Sequence, residues 1–449
     1  MIERPQTQYA RFGDLYVAYQ VFGSGPVDLL LLPTWVNGVE AAWEWEPSAA
    51  LQRALGSFAR VAVFDLPGTG LSDPVSIKSL PSVEEWMQSA RVVMDAAGMP
   101  RAAVLGFQVG GAVATVFAAT YPARVASLIL VSSYARMIRA DDYPEGLPER
   151  YKESAIDTVR RLWVQGDPAL MKLMAPSIAD DPEEQKRWIR VCREAAGPGV
   201  AEAIFRMAID IDVRNVLPLV KVPTLVLHRK DDPWVRIQHG RYLADNIRNA
   251  HLVELEGNEH LMDLGDRDAL VAEIRRFLVA DRTSAEPDDR VLSTLLFTDI
   301  VASTERAAEL GDARWRALLD EHDRSVRAVL KQYRGREVKT TGDGFLATFD
   351  GPARAIRCAR AIGGCARDLG IEIRAGLHTG EVEIRGDDIG GIAVHAAARV
   401  MAEAGPSEVL VSNTVKDLVA GSGIEFTDRG MHALKGVPGE WALYSVTSV

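Results

Sequence analysis

Cysteine is scarce. Cys192, Cys358 and Cys365 are the three in 449 residues, too few and too scattered for a disulfide framework or a cysteine metal site. Cys358 and Cys365 lie on one predicted helix and read as core fillers. A reducing, cytoplasmic setting is the expectation. Long apolar runs are missing too. Stretches such as 29–32 and 125–131 are strand-sized, far below the roughly 20 residues of a membrane helix, so no membrane span is expected. The opening Met1-Ile2-Glu3-Arg4-Pro5 carries no apolar core of a signal peptide. Positive charge is in deficit: 51 Lys and Arg face 62 Asp and Glu, a net charge of -11. That balance excludes the basic stripe a nucleic-acid partner would need. Repeats and low-complexity tracts are absent from the sequence.

What is present is ordinary globular material, 47% hydrophobic and 25% charged, in a chain long enough for two or three domains. Residues 1–280 alternate short apolar strands with helical stretches. Strands are predicted at 15–22, 27–33, 61–65, 102–106, 127–131, 224–228 and 252–255. That rhythm predicts an α/β domain with a mostly parallel sheet covered by helices. From about 140 to 217 the strand signal fades and helical periodicity takes over, as in an inserted cap. The polar, proline-bearing stretch 281–290 reads as a linker. An α+β domain follows over 291–449. It has a strand at 291–297 and a long helix at about 303–333, with apolar positions Trp315, Leu318, Leu319, Val326, Val329 and Leu330 at helical spacing. A hairpin (337–341 and 345–349), a helix, a strand at 371–378 and a helix near 392–402 come next. A last strand, helix and strand close the chain.

Two aspartates stand out in this second domain: Asp299 in Phe297-Thr298-Asp299-Ile300, and Asp343 in Lys339-Thr340-Thr341-Gly342-Asp343-Gly344-Phe345. Singly, Asp299 reads as a helix N-cap or turn residue, and Asp343 as part of a tight turn. Together they are two carboxylates at strand ends, a combination that can hold a pair of Mg²⁺ ions for in-line phosphoryl displacement. Asp299 is followed by Ile300-Val301-Ala302-Ser303-Thr304, which opens a helix. Backbone N–H groups at such a helix start can cradle a polyphosphate.

With these motifs, residues 288–449 resemble the catalytic domain of class III nucleotidyl cyclases, the adenylate and guanylate cyclases. Asp388-Ile389-Gly390-Gly391 through Arg399, and Leu434-Lys435-Gly436, extend the match. The resemblance implies a ferredoxin-like βαββαβ core, pairing of two copies head-to-tail as a homodimer, and two Mg²⁺ or Mn²⁺ ions per site on Asp299 and Asp343, assisted by the Ile300 carbonyl. Thr298, Ile300, Val301, Ser303 and Thr304 are implied around the metals and phosphates. Lys339 and Asp388 fall on the purine-reading pair. A lysine donor and an aspartate acceptor suit adenine, because guanine presents the opposite pattern on that edge. ATP is therefore the expected substrate. Arg399 falls on the transition-state arginine and Lys435 on the terminal-phosphate lysine. One departure is His395, where the family usually has asparagine. It keeps the i, i+4 position beside Arg399. Read alone, Lys339, Arg399 and Lys435 are solvated cations, and Asp388 is a loop acid.

In the first domain the predicted strand 102–106 runs into Gly106-Phe107-Gln108-Val109-Gly110-Gly111. This is the pattern of a nucleophile elbow, G-x-S-x-G, with glutamine in the serine's place. Asp232 and His260 follow in the order elbow, acid, histidine, and Asp65 to Asp73 resembles a further loop of the α/β-hydrolases. The resemblance covers about 280 residues and implies that fold. A primary amide has no ionisable nucleophile for His260 to activate. The run Pro33-Thr34-Trp35 also departs from the usual oxyanion-side His-Gly. The reading is a degenerate triad of Gln108, Asp232 and His260, either a rigid scaffold or a sensor holding a small apolar ligand beneath the cap. An active esterase-type hydrolase, and a nucleotide sensor with little or no turnover, stay open as alternatives to an adenylate cyclase.

Overall fold

A computed structural model describes residues 2–36, 38–77, 80–280, 290–340, 342–386 and 388–449. The chain divides into two units, Met1–Pro287 and Asp288–Val449. The predicted linker 281–290 lies outside the described residues except Arg290, which begins a strand.

The first unit carries eight strands: β1 Gln8–Phe12, β2 Leu15–Phe22, β3 Val27–Leu32, β4 Ala59–Phe64, β5 Ala102–Phe107, β6 Val125–Val131, β7 Thr224–Arg229 and β8 Ala250–Leu255. They form one sheet in the order β1-β2-β4-β3-β5-β6-β7-β8. The β1–β2 and β2–β4 pairs are antiparallel, and the others parallel. Every residue of β5 is buried, as expected for a central strand covered on both faces. Helix Val109–Thr120 follows β5 and is buried along its whole length, which its Gly, Ala and Val content permits. The region expected as a cap is helical, with Lys152–Gln165, Pro182–Ala195 and Pro198–Asp210 as its main helices. Trp35, just past β3, packs against Trp163 and Phe205 of those helices at ring distances of 5.2 and 5.1 Å. That cluster anchors the cap over the strand ends.

The second unit holds β9 Arg290–Ile300, β10 Arg336–Thr340, β11 Phe345–Phe349, β12 Ile373–Arg385, β13 Asp388–Gly390, β14 Val409–Ser412, β15 Glu425–Ala433 and β16 Glu440–Ser448. The order is β10-β11-β9-β12-β14-β16-β15, with β13 on β12. Side chains of β9 alternate between two cores. Leu296 and Ile300 pack with helices Asp312–Gln332 and Pro352–Asp368. Leu295 and Phe297 pack with Ala393 and Ala397 of helix Ile392–Glu403. The single long helix expected at 303–333 is instead two, Ser303–Leu310 and Asp312–Gln332. Gly311 between them has φ 75°, a conformation that costs glycine little and ends the first helix.

Candidate functional sites in the two units

In the second unit β9 is the central strand of the site. Arg374 of β12 lies directly opposite Asp299, and Phe345 of β11 opposite Thr298. The Asp299 carboxylate and Asp343, in the turn that leads into β11, therefore sit at the same end of this three-strand group. Asp343 follows Gly342, whose φ is 87°. Its Oδ2 is buried and without a hydrogen-bond partner, so a carboxylate oxygen there is left to a cation. Asp299 Oδ2 accepts two hydrogen bonds from Arg374, Nε at 3.0 Å and an NH2 nitrogen at 2.5 Å. Among the described residues no group of three or more His, Cys, Asp or Glu could hold a metal ion. Two carboxylates fit a hard cation that keeps several waters and takes further oxygens from phosphate. On those grounds the residues present suit a divalent ion.

Beyond Ile300 the chain turns sharply. Ala302 adopts φ 54°, ψ 36°, a left-handed conformation for a residue with a Cβ. That turn starts helix Ser303–Leu310, whose first N–H groups have no side-chain cap. Val301 donates its N–H to the Glu372 carbonyl at 2.9 Å. Ser303 is half-buried and Thr304 exposed, while Ile300 is buried. Thr298 is buried, and its hydroxyl accepts the Phe345 N–H at 3.2 Å, so that side chain serves the strand pair.

Lys339 Nζ donates to both carboxylate oxygens of Asp388, at 2.8 and 2.9 Å. The lysine, and then the Ile389 N–H, hold the Asp388 carboxyl below its usual range. Both side chains are exposed. His395 and Arg399 are exposed on helix Ile392–Glu403. Arg399 Nε donates to the Lys435 backbone carbonyl at 3.0 Å, which ties the arginine to the turn that carries Lys435. Among the described residues, no hydrogen bond or ion pair joins Lys339, Asp388, Arg399 or Lys435 to Asp299 or Asp343. Arg374 was missed in the sequence. Its signal is an arginine on the strand next to β9, visible only once the register is known.

The first unit holds Gln108 at a strand-to-helix turn and a buried Asp232–His260 pair. Gln108 sits between β5 and helix Val109–Thr120 at φ 53°, ψ -122°, and is buried. A Cβ on Gly106 would lie 2.4 Å from the Gly110 carbonyl oxygen, and one on Gly110 2.5 Å from that of Pro33. The elbow therefore requires glycine at both positions. Thr34 Oγ1 donates to Gln108 Oε1 at 2.7 Å, and Ser133 Oγ to the Gln108 carbonyl at 2.8 Å. His260 Nδ1 meets Asp232 Oδ2 at 2.8 Å, with both side chains buried. Asp232 Oδ1 also accepts the N–H groups of Trp234 and Val235. Burial alone would raise the Asp232 pKa; His260, His228 and the Val235 N–H outweigh it and hold the carboxyl low. His260 Nε2 is buried without a partner. Acid and base are thus oriented, and the side chain at the elbow cannot ionise.

Residues 29–274 match the family model described as "Alpha/beta hydrolase family", and residues 284–448 match "Adenylate and Guanylate cyclase catalytic domain". A pimeloyl-acyl-carrier-protein methyl ester esterase of Neisseria meningitidis is 27% identical over 221 residues, 49% of this chain and 82% of that protein. The "Putative adenylate cyclase 3" of Rhizobium meliloti is 32% identical over 134 residues, 28% of this chain and 22% of its own length. The solved esterase from Exiguobacterium antarcticum aligns at TM-score 0.52 and 21% identity over 61% of this chain and 100% of its own, a likeness of fold. Among the described residues no helix is long and apolar enough to cross a membrane.

Proposed function

Because the chain belongs to the alpha/beta hydrolase family through residues 29–274 and carries an adenylate and guanylate cyclase catalytic domain at 284–448, we propose that it is an adenylate cyclase with a hydrolase-like sensing unit. The reaction is attack of the ATP 3′-hydroxyl on the α-phosphate, giving 3′,5′-cyclic AMP and pyrophosphate. The observation that carries the choice of ATP is the Lys339–Asp388 pair, a donor and an acceptor at one place. In that pair the lysine donates to an adenine ring nitrogen and the aspartate accepts from the exocyclic amine.

Each remaining residue has a task. Asp299 and Asp343 would hold Mg²⁺ or Mn²⁺, with the Ile300 carbonyl beside them, and the metal would supply activation of the attacking hydroxyl and stabilisation of the leaving oxygen. The uncapped N–H groups at Ser303 and Thr304, after the turn at Val301 and Ala302, receive the polyphosphate. Arg399 offers fixed donors to the charge that develops at the α-phosphate, and Lys435 holds the terminal phosphate. His395 donates to ribose or phosphate in place of an asparagine. Arg374 guards Asp299 with a positive charge until a cation takes the carboxylate.

A homodimer follows from the same reading. The metal aspartates come from one copy, and Lys339, Asp388 and Arg399 from the other. The test is incubation of the full-length protein with ATP or GTP and Mg²⁺ or Mn²⁺. Cyclic AMP from ATP, lost in Asp299→Ala, is the expected result. Absence of any cyclic nucleotide would sink the reading, and nucleotide binding without product would favour a pure sensor.

One observation favours a second reading. The Asp232–His260 pair is intact, and no protein group occupies His260 Nε2. Gln108 argues against it. Acyl-ester turnover that disappears in His260→Ala would establish it.

A further inference from the structure

The cap of the first unit meets the sheet and its loops in several places. At its neck the two crossings of the chain pair with each other. Val213 donates its N–H to the Ala135 carbonyl at 2.8 Å, and Arg136 meets Asp212 at 2.7 Å. One seam lies along helix Pro182–Ala195. Trp45 Nε1 donates to Glu184 Oε2 at 3.1 Å, and the Gly70 N–H to the Ala195 carbonyl at 2.6 Å. Another seam runs along residues 258–264, the loop that carries His260. There the His260 and Leu261 N–H groups both donate to the Met174 carbonyl of the cap, at 3.1 and 3.0 Å. Glu259 Oε1 accepts the N–H of Ser177, also in the cap, at 2.8 Å. The Glu259 side chain is buried in that seam.

The histidine loop is anchored to the sheet. Gly257 and Gly265 bound it at φ 107° and 64°, conformations that cost glycine little. Arg229, at the end of β7, donates from a buried guanidinium to the carbonyls of Glu259, Leu261 and Leu264, at 2.9, 2.9 and 2.6 Å. Bonds from a charged donor are the stronger kind. Across the seam the Glu259–Ser177 bond is of that kind, whereas the two on Met174 are neutral and share one acceptor. Past His260, Leu261, Met262 and Asp263 line a cavity of about 180 Å³ beside the elbow, with Thr34 and Phe107 among its other walls. There the loop meets open volume rather than packed side chains, so its hold on the cap depends on hydrogen bonds.

We propose that Glu259 is a latch: its carboxylate, with the two loop N–H groups on the Met174 carbonyl, fastens the cap to the histidine loop, and parting of this seam opens the first unit to a ligand. Arg229 keeps the loop on the sheet while the cap leaves it. The three bonds of the seam lie close together in sequence on both sides, 174–177 and 259–261, so they break as one. The inference deepens the sensing role given above to the first unit and rests on it for the ligand; the seam itself requires no cyclase turnover.

The experiment is hydrogen exchange of the full-length protein in low urea, read by mass spectrometry. In the parent the amides of Ser177, His260 and Leu261 should share one opening free energy, below that of the core strands. This first measurement needs no variant. Glu259→Ala should then speed their exchange about tenfold or more, the loss expected for a hydrogen bond to a charged group. Glu259→Gln keeps an oxygen acceptor and should recover most of the protection. Access is the second readout. With Gln108→Cys as reporter, iodoacetamide should label position 108 about tenfold faster once Glu259→Ala is added. Separate opening energies for the three amides, exchange in Glu259→Ala that is unchanged or raised equally throughout the unit, or unchanged labelling at position 108 would overturn the proposal. Cyclic AMP formation, measured in parallel, separates the two claims. A seam that parts as expected with cyclic AMP output indifferent to Glu259→Ala fails the sensing role alone, and a seam that stays shut while cyclic AMP is formed fails the latch alone.

Discussion

The candidate sites of the two units are held in opposite ways. The first has kept geometry: a strained elbow, an oriented Asp232–His260 dyad and a covering cap, all buried, around a side chain with no nucleophile. The second carries carboxylates, lysines and an arginine, most of them exposed, with Lys339 paired to Asp388 and Arg374 to Asp299. A buried site is held by its own core and survives the loss of its reactive atom. A surface site draws its order from what binds it, whether cation, nucleotide or second copy.

That contrast can be broken most sharply at Asp343. Asp343→Ala should lower cyclic AMP formation about a thousandfold or more, roughly 4 kcal/mol of transition-state stabilisation, with melting little changed. A variant as active as the parent would remove the metal-site reading. Gln108→Ser tests the other side. If the geometry of the first unit is intact, a serine at the elbow should bring ester hydrolysis about a hundredfold above the parent, and His260→Ala in that background should abolish it. No gain would mean that the loss extends to the oxyanion side at Pro33-Thr34-Trp35. Lys339→Ala should raise the KM for ATP about tenfold, near 1.4 kcal/mol, and narrow the preference over GTP, as steady-state rates on both nucleotides would reveal.

The last effect is on stability rather than on turnover, and concerns Asp263. Burial pushes the Asp263 carboxyl from 3.8 up to about 6. The folded chain therefore holds a proton there that the unfolded chain has lost. This contribution stabilises the fold at acid pH and disappears as pH rises from about 4 through 6. Asp263→Asn should raise the stability of the first unit at pH 7 by on the order of 1–3 kcal/mol, and the gain should vanish near pH 4. A melt series across that range decides it. A gain that does not depend on pH would show that charge burial is not its cause.

Much of this was legible in the chain. The strands β2 to β8 fall close to their predicted places, because continuous apolar runs between polar turns leave few alternatives. The elbow is readable from Gly106 and Gly110, since the close approaches they make admit no Cβ. Other features were not readable. β1 is an edge strand in a mostly exposed sequence and gives no apolar signal. The break at Gly311 was hidden by a helical periodicity that continues on its far side. Arg374 looks like any strand arginine until register sets it against Asp299. The cavity beside the elbow is walled by β3, β4, β5, the helix Glu46–Gly56 and Leu261 to Asp263, and no local pattern points to it.

The sequence alone therefore determined which chemical groups exist and in what local setting: two aspartates at strand ends, a lysine donor and an aspartate acceptor, and a glutamine at the glycine-flanked turn after β5. Residue type, turn chemistry and periodicity are local properties and can be read in order along the chain. Tertiary structure decided which groups meet. It joined Lys339 to Asp388 and Arg399 to the Lys435 carbonyl, left Asp343 Oδ2 without a partner, and set Arg374 on Asp299. Those outcomes depend on strand register and packing between distant segments, where a shift of one residue would turn each side chain to the opposite face.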